Sequence, residues 1–283
     1  MKKLINKYSI AALLVSFGLS SCVKKFDPKS YAPPLSVNGY TSANSVAKSN
    51  LIGYWAFDGS LIDSVSGTVG VNTGTSFAVS GIKKQALQGA LNSYVLNNTS
   101  AAVAALQSYT ITFWVNTPPP STGIIGVFAL PNKIQFWGNL EMWFENGSSN
   151  SNGTIKVTMD YGPNGQNTAF FVVSGLQNLF DKWTSITISY DGTSTVSKMY
   201  VNGGLVSTQT GVGGLTGPLA FTNVGNLVFG CDAFQTNPSQ TSATQYPGFA
   251  SFLTGQLDEF RIYNRALTDI EVSSIVALQH RGK

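Results

Sequence analysis

The chain has 283 residues, of which 43% are hydrophobic and only 11% are charged, and its formal net charge is +4. Six of the seventeen basic residues but only one of the thirteen acidic residues lie in the first 29 positions, which leaves 11 bases and 12 acids for the rest. A nearly neutral body argues against a nucleic-acid partner, because phosphate binding needs clustered Lys and Arg. A single histidine, His280, and two cysteines argue against a histidine-based catalytic set, a histidine-rich zinc site or a disulfide framework.

The amino terminus has the three-part pattern of a secretory signal. Three lysines lie within the first seven residues, residues 10–19 are mostly apolar, and Leu19-Ser20-Ser21-Cys22 follows. The apolar run is too short to span a bilayer. The last four residues resemble a bacterial lipobox, which implies cleavage before Cys22 and a diacylglycerol on its sulfur. Residues 1–21 are therefore expected to be a lipoprotein signal peptide. We expect a membrane-anchored protein of the cell envelope, in the outer membrane of a Gram-negative bacterium. The alternative is an ordinary signal peptide that ends near a cysteine.

Residues 22–49 lack sustained periodicity and are rich in Pro, Ser and Asn, which predicts a flexible tether beyond the lipid anchor. Residues 50–283 are long enough for one large domain. The second cysteine, Cys231, ends an apolar run and is expected to be buried at the end of a strand.

Strand patterns recur through the domain, separated by Gly-rich turns, and predict an all-β sandwich. Asn202-Gly203 is the strongest hairpin signal. The predicted strands are residues 51–57, 109–115, 183–190, 198–201, 227–229 and 257–263.

Only the carboxyl terminus has a helical pattern. Thr268-Asp-Ile-Glu271 has the spacing of a capping box, and Ile270, Ile275 and Leu278 supply an apolar stripe. One short C-terminal helix is therefore predicted.

Four segments in order resemble the laminin-G-like family: residues 53–67, 109–115, 181–203 and 255–271. The resemblance implies a two-sheet antiparallel jelly-roll sandwich of the concanavalin A-like type over the whole exported domain. The first and last strands are then neighbours, so that Trp55 and Phe57 pack against Phe260 and Ile262. The aromatic residues of the strand motifs, Trp114 and Trp183, are expected between the sheets.

The resemblance also implies a structural calcium ion where the first and last strands meet. The candidate ligands are Asp58, Asp63 and Asp258, since calcium prefers carboxylate and carbonyl oxygens. The alternative is that Asp63 caps a turn and that Asp258 pairs with Arg261 or Arg265.

Residues 133–145 form the candidate ligand-binding face. A strand hairpin with a three-residue connection, 138–140, would turn one polar set toward one side and would leave Leu140, Met142 and Phe144 on the other. Indole rings stack on sugar C–H faces while planar polar groups bond the hydroxyls. In the alternative, a loop covers both tryptophans. The predicted ligand-binding residues are Gln135, Trp137, Glu141, Trp143 and Glu145, with Tyr161 and Asn164 at the rim.

These patterns predict a non-catalytic, carbohydrate-binding envelope lipoprotein. The alternative partner is another envelope protein, bound by an adhesion or scaffold module. A glycoside hydrolase is the third hypothesis, because Glu141 and Glu145 have the spacing of the carboxylates in laminarinase-type glucanases of this fold. That pattern has an aspartate between them and this chain has Trp143, so we do not expect an enzyme.

Overall fold

The computed structural model describes residues 36–78, 80–243 and 247–282. The predicted signal peptide, Cys22 and the tether as far as residue 35 lie outside the described residues. Within the part that is described, no helix is long and apolar enough to cross a membrane.

The described residues form sixteen strands, two α-helices and five short 3-10 turns. The strands are β1 (Leu51–Trp55), β2 (Val71–Thr73), β3 (Ser76–Ala78), β4 (Ala86–Gln88), β5 (Tyr94–Asn97), β6 (Tyr109–Asn116), β7 (Ile124–Leu130), β8 (Leu140–Phe144), β9 (Gly153–Tyr161), β10 (Asn167–Leu176), β11 (Thr184–Asp191), β12 (Val196–Val201), β13 (Gly204–Thr210), β14 (Leu227–Phe229), β15 (Ala250–Ser251) and β16 (Gln256–Tyr263). The helices are α1 (Ala101–Ala104) and α2 (Asp269–Gln279), and the 3-10 turns are Ala43–Ser45, Lys48–Asn50, Pro163–Gly165, Val212–Gly214 and Ala233–Gln235.

The strands make two sheets of eight, which confirms the predicted jelly-roll sandwich. The first sheet has the order β13-β12-β11-β6-β16-β4-β3, with β1 beside β16. The second sheet has the order β10-β9-β8-β7-β14-β5-β2, with β15 beside β7 in the only parallel pairing among the named strands. Alternate residues of each strand point between the sheets, as Ile111 and Phe113 do on β6 and Met142 and Phe144 do on β8.

The first and last strands pair as predicted. Trp55 lies opposite Phe260, and the two rings meet edge to face with centroids 5.9 Å apart. The predicted hairpin joins β12 to β13, and its turn residues Asn202 and Gly203 have positive φ angles of 51° and 79°. Asn and Gly tolerate this conformation better than other residues, which explains why the motif is so predictive.

Neither Trp114 nor Trp183 lies between the sheets, so that expectation is wrong. Trp114 points to the outer side of β6, where α2 covers it: its Nε1 donates to Gln279 Oε1 at 2.8 Å, and its ring meets His280. Trp183 precedes β11 and is only half-buried.

The C-terminal helix begins as the sequence predicts. Thr268 and Glu271 form the capping box, and Ile275 and Leu278 are buried. Ile270 is 62% exposed and does not belong to the apolar side. The single-turn helix α1 was not expected.

Residues 36–49, which were predicted to belong to the flexible tether, are part of the folded unit, which begins at Ser36. Ala43 and Val46 are buried in one apolar cluster with residues of α2, namely Val272, Ile275 and Leu278. Asn44 also accepts a hydrogen bond from the buried guanidinium of Arg261, at 2.8 Å. The apolar residues that fix this segment are too few to produce a periodic pattern, so the tether boundary at 49 is wrong.

Candidate functional site

Six aromatic side chains gather on the outer side of the second sheet, and we call them the aromatic face. They come from the loop between β7 and β8, from β8 and β10, and from the segment between β14 and β15. The six are Phe136, Trp137, Trp143, Phe170, Phe234 and Phe249.

The centre of the aromatic face is a stacked pair of indoles. The rings of Trp137 and Trp143 are 4.6 Å apart and within 13° of parallel. Trp143 is only 2% exposed, whereas Trp137 is half-buried. Phe170 and Phe249, which are 40% and 43% exposed, each lie 6.4 Å from the Trp137 ring. Trp137, Phe170 and Phe249 are therefore the rings that face solvent, and Trp143 supports them from beneath.

The predicted hairpin over 133–145 is wrong in its first half. Residues 131–139 form a loop of turns and bends, and β8 pairs instead with β7 and β9. On β8 the predicted alternation is confirmed, because Leu140, Met142 and Phe144 join the core. The face carrying Glu141 and Trp143 is buried, so the alternative of a covering loop describes Trp143 correctly.

The loop 131–139 is fixed at both ends by one buried amide. Asn139 Nδ2 donates to the carbonyls of Pro131 and Thr222 at 2.8 and 3.0 Å, and Asn139 Oδ1 accepts from the Thr222 amide at 2.9 Å. These bonds hold the two ends of the loop together, and the Trp137 ring within it stacks on Trp143.

Glu145 provides the polar edge of the aromatic face. Its Oε2 accepts from Trp143 Nε1 at 3.3 Å and pairs with Lys156 Nζ at 2.6 Å, and both charged side chains are about one-third exposed. The other predicted contacts lie farther along the surface. Gln135 Nε2 donates to the Gly165 carbonyl at 3.4 Å, the Tyr161 hydroxyl donates to the Gly213 carbonyl at 3.2 Å, and Asn164 is exposed.

Three carboxyl groups lie buried behind the aromatic face: Glu141, Asp160 and Asp232. A Cβ at Gly126, which pairs with Trp143, would lie 2.7 Å from Asp232 Cγ. Burial raises the pKa of Asp232 to about 8 and that of Asp160 to about 7. Burial and the charges of Asp232 and Asp160 raise the pKa of Glu141 well above its usual range, and the Gly138 amide offsets only part of this.

The burial of Glu141 bears on the hydrolase hypothesis. Neither oxygen of its carboxyl group is accessible to solvent or has a well-placed hydrogen-bond partner among the described residues. Glu141 therefore does not face Glu145 across an open cleft, as a pair of catalytic carboxylates must.

Cys231 is fully buried as predicted, and burial raises the pKa of its thiol well above the usual value, which favours a structural role.

The three proposed calcium ligands are occupied by other partners. Asp63 accepts from the amides of Tyr54 and Val65, and Asp258 accepts from those of Ile82, Lys83 and Glu259. Asp58 pairs with Lys84 and accepts from the Gln85 amide.

Within the described part of the chain, no group of three or more His, Cys, Asp or Glu side chains is arranged to hold a metal ion. As folded, these three carboxylates are arranged to bind their present partners rather than a calcium ion. The turn-capping alternative for Asp63 agrees with its contacts. Arg261 pairs with Glu259, and Arg265 pairs with Glu271, rather than with Asp258.

Four members of the aromatic face were missed from the sequence: Phe136, Phe170, Phe234 and Phe249. Alternation would have found one of them, because Phe171 points into the core and Phe170 must then point out. The other three lie in loops, where no period assigns a direction.

Solved structures with the same sandwich include sugar-binding and protein-binding examples. Domain 4 of AbnA, a GH43 extracellular arabinanase from Geobacillus stearothermophilus, in complex with arabinotriose, is 19% identical with a TM-score of 0.52, over 80% of this chain and 98% of that one. The ligand-binding domain of botulinum neurotoxin serotype D in complex with N-acetylneuraminic acid is 13% identical with a TM-score of 0.57, over 83% of this chain and 52% of that one. The binding domain of botulinum neurotoxin DC in complex with rat synaptotagmin II is 14% identical with a TM-score of 0.56, with the same coverage.

This chain spans about half the length of the botulinum toxin chains, and identities this low show the fold alone. No curated protein matches the sequence. A family model matches residues 88–273, which is more than half of the chain. The fold defines a lectin-like sandwich, and the chain belongs to the concanavalin A-like lectin/glucanases superfamily, in its laminin-G branch.

Proposed function

We propose that the aromatic face binds a glycan without catalysis. The observation that carries the proposal is the partly buried Trp137 indole, held nearly parallel to the buried Trp143 indole and flanked by the exposed rings of Phe170 and Phe249. A rigid indole suits the C–H face of a sugar ring, and it loses little conformational freedom on binding. The rings of Phe170 and Phe249 are tilted by 88° and 52° to that of Trp137 and give the site apolar sides. The Glu145–Lys156 pair at its edge offers both acceptors and donors to sugar hydroxyls.

A glycan array on the purified chain, followed by calorimetry on the glycans that bind, tests this proposal. We expect Trp137→Ala to weaken binding by a few-fold up to about tenfold, because one stacked ring contributes roughly 0.5–1.5 kcal/mol. Trp183→Ala is the matched control, since Trp183 is also half-buried but makes no ring contact with the aromatic face. Equal binding by Trp137→Ala and the parent chain would refute the proposed site.

A protein partner is the second candidate, and the free edge of the first sheet supports it. Strand β13 ends that sheet, with Leu205 and Val206 45% and 44% exposed. Among the described residues no strand pairs with the outer side of β13, and an edge of this kind with apolar side chains is suited to adding a strand from another protein. If no glycan binds, pull-down of an envelope protein by the two variants tests this second function. Capture that is lost in Val206→Lys and kept in Trp137→Ala would favour it.

We further propose that the protein acts at the cell envelope, anchored through Cys22. Mass spectrometry of the mature protein tests this directly, because a diacylglycerol adduct on Cys22 identifies both the cleavage site and the anchor.

A further inference from the structure

A second surface lies beside the aromatic face, and the same loop contributes to both. It is a groove of about 440 Å³, which we call the amide groove, lined by Asn98, Thr99, Ala104, Lys133, Val224, Gly225, Asn226 and Gln240. Lys133 begins the turn of loop 131–139 that ends near Trp137.

The charge and hydrogen-bonding groups that line the amide groove are of the kind that bind anions. Lys133 is its one charged lining residue, it is exposed, and it makes no ion pair with any described residue. No carboxylate lines the groove, whereas the side-chain amides of Asn98, Asn226 and Gln240 do.

The orientation of Gln240 is fixed with its donor end unsatisfied. Its Oε1 accepts from the Asn226 amide at 2.7 Å, while its Nε2 has no hydrogen-bond partner among the described residues. A buried donor without a partner is costly. Because this nitrogen has almost no solvent exposure, a ligand oxygen reaches it only when the Gln240 side chain moves toward the groove.

The backbone under the groove is rigid. The Lys133 amide donates to the Asn223 carbonyl at 2.9 Å, and the Gly225 amide donates to the Pro131 carbonyl at 3.0 Å. Gly225 also allows close packing, since a Cβ there would lie 2.7 Å from Pro131 Cγ and 2.9 Å from Gln240 Oε1. The backbone of Lys133 is therefore held in place.

Lys133 and Trp137 are four positions apart in the sequence, so their Cα atoms lie at most about 14 Å apart. One short oligosaccharide can reach both. Resting on the proposed glycan binding at the aromatic face, we infer that the ligand is an acidic glycan, whose anionic group, a carboxylate or a sulfate, enters the amide groove and pairs with Lys133.

The test compares acidic oligosaccharides with neutral counterparts on the purified full chain. Uronic acid oligomers and their methyl esters share a backbone and differ in charge, and sulfated and unsulfated pairs do the same for sulfate. We expect the acidic member to bind about two- to fivefold more tightly, because solvent screens a pair made by an exposed lysine. We also expect added salt to weaken only the acidic member.

Variants separate this inference from the proposed function. Lys133→Gln should abolish the preference for the acidic member and leave neutral binding unchanged, whereas Trp137→Ala should weaken both. Lys182→Gln, an exposed lysine before β11, is the matched control. A preference that survives in Lys133→Gln, or tighter binding of the neutral members, overturns the inference but leaves the glycan-binding proposal intact. Failure of every oligosaccharide to bind overturns both.

Discussion

At the residue scale, the buried carboxyl groups behind the aromatic face make the stability of the protein depend on pH. Asp232 and Glu141 have no well-placed hydrogen-bond partner for their oxygens among the described residues. A buried carboxylate without a partner is far more costly than a buried neutral acid. Both groups therefore favour the protonated form, whereas Asp160, whose pKa burial raises to about 7, changes its charge near neutral pH.

Stability should consequently fall as the pH rises from about 5 to about 8.5. The pKa of Asp232 is raised from 3.8 to about 8 in the folded state, so the folded chain holds a proton that the unfolded chain has released. The stabilisation is complete below the unfolded pKa and is lost through the folded one. Each pKa unit corresponds to about 1.4 kcal/mol, so a loss on the order of a few kcal/mol is expected.

Urea denaturation at several pH values measures this slope. Asp232→Asn should reduce this slope, since the amide has a similar shape and no charge. The remaining slope comes from Asp160 and Asp258, whose pKa values burial raises to about 7 and about 8. Asp191→Asn is the control: the pKa of Asp191 is lowered by hydrogen bonds from Ser194 and Thr193, so it should contribute no slope above about pH 5. An unfolding free energy that is the same at pH 5 and 8.5 in the parent chain would contradict this account.

At the scale of the element, the segment 36–50 behaves as part of the domain. Val46 is fully buried against the helix α2 side of the first sheet, so Val46→Ala should lower the free energy of unfolding by about 1–3 kcal/mol. Val65→Ala, at a valine that is largely exposed, should change it by less than about 0.5 kcal/mol. Chemical denaturation of both variants measures these free energies of unfolding. An unchanged value for Val46→Ala would mean that this segment belongs to the tether and not to the folded domain.

Elements whose conformation is set locally were predictable from the sequence. The Asn202-Gly203 turn, the capping box of α2 and the alternation of β6 and β8 depend on residues within one turn or one strand. The pairing of β1 with β16 came from the family resemblance rather than from any local rule.

Elements whose conformation is set by distant contacts were not predictable. Residues 133–137 alternate like a strand, yet Asn139 ties the loop to Thr222, more than eighty positions away. Alternation along β6 points the side chain of Trp114 to the side of the sheet away from Phe113. Only the position of α2 explains why that outer side of β6 is buried. The aromatic face joins segments far apart in sequence, so its two tryptophans could be proposed together but its phenylalanines could not.

At the scale of the whole molecule, the two outer faces of the sandwich serve different purposes. Helix α2 and the segment 36–50 close the centre of the first sheet over Arg261 and Glu259, which pair at 2.7 Å with almost no exposure. On the second sheet, loops cover the strands but leave Trp137, Phe170 and Phe249 at the surface. An apolar surface left open on one face while the other is closed is the arrangement expected for a binding module.

The contacts where the first and last strands meet predict how calcium affects the stability of the molecule. Asp63 there is buried and accepts two amides and the Ser66 hydroxyl, and Asp258 accepts three amides. An ion would have to replace these donors, so we expect neither calcium nor a chelator to shift the thermal midpoint. Asp63→Ala should cost about 1–3 kcal/mol in both conditions, because it leaves the amides of Tyr54 and Val65 without an acceptor. Calorimetric melting of both chains with each addition measures this. A midpoint that rises with calcium in the parent chain and not in Asp63→Ala would mean that the ion displaces the amides and holds the two strands together.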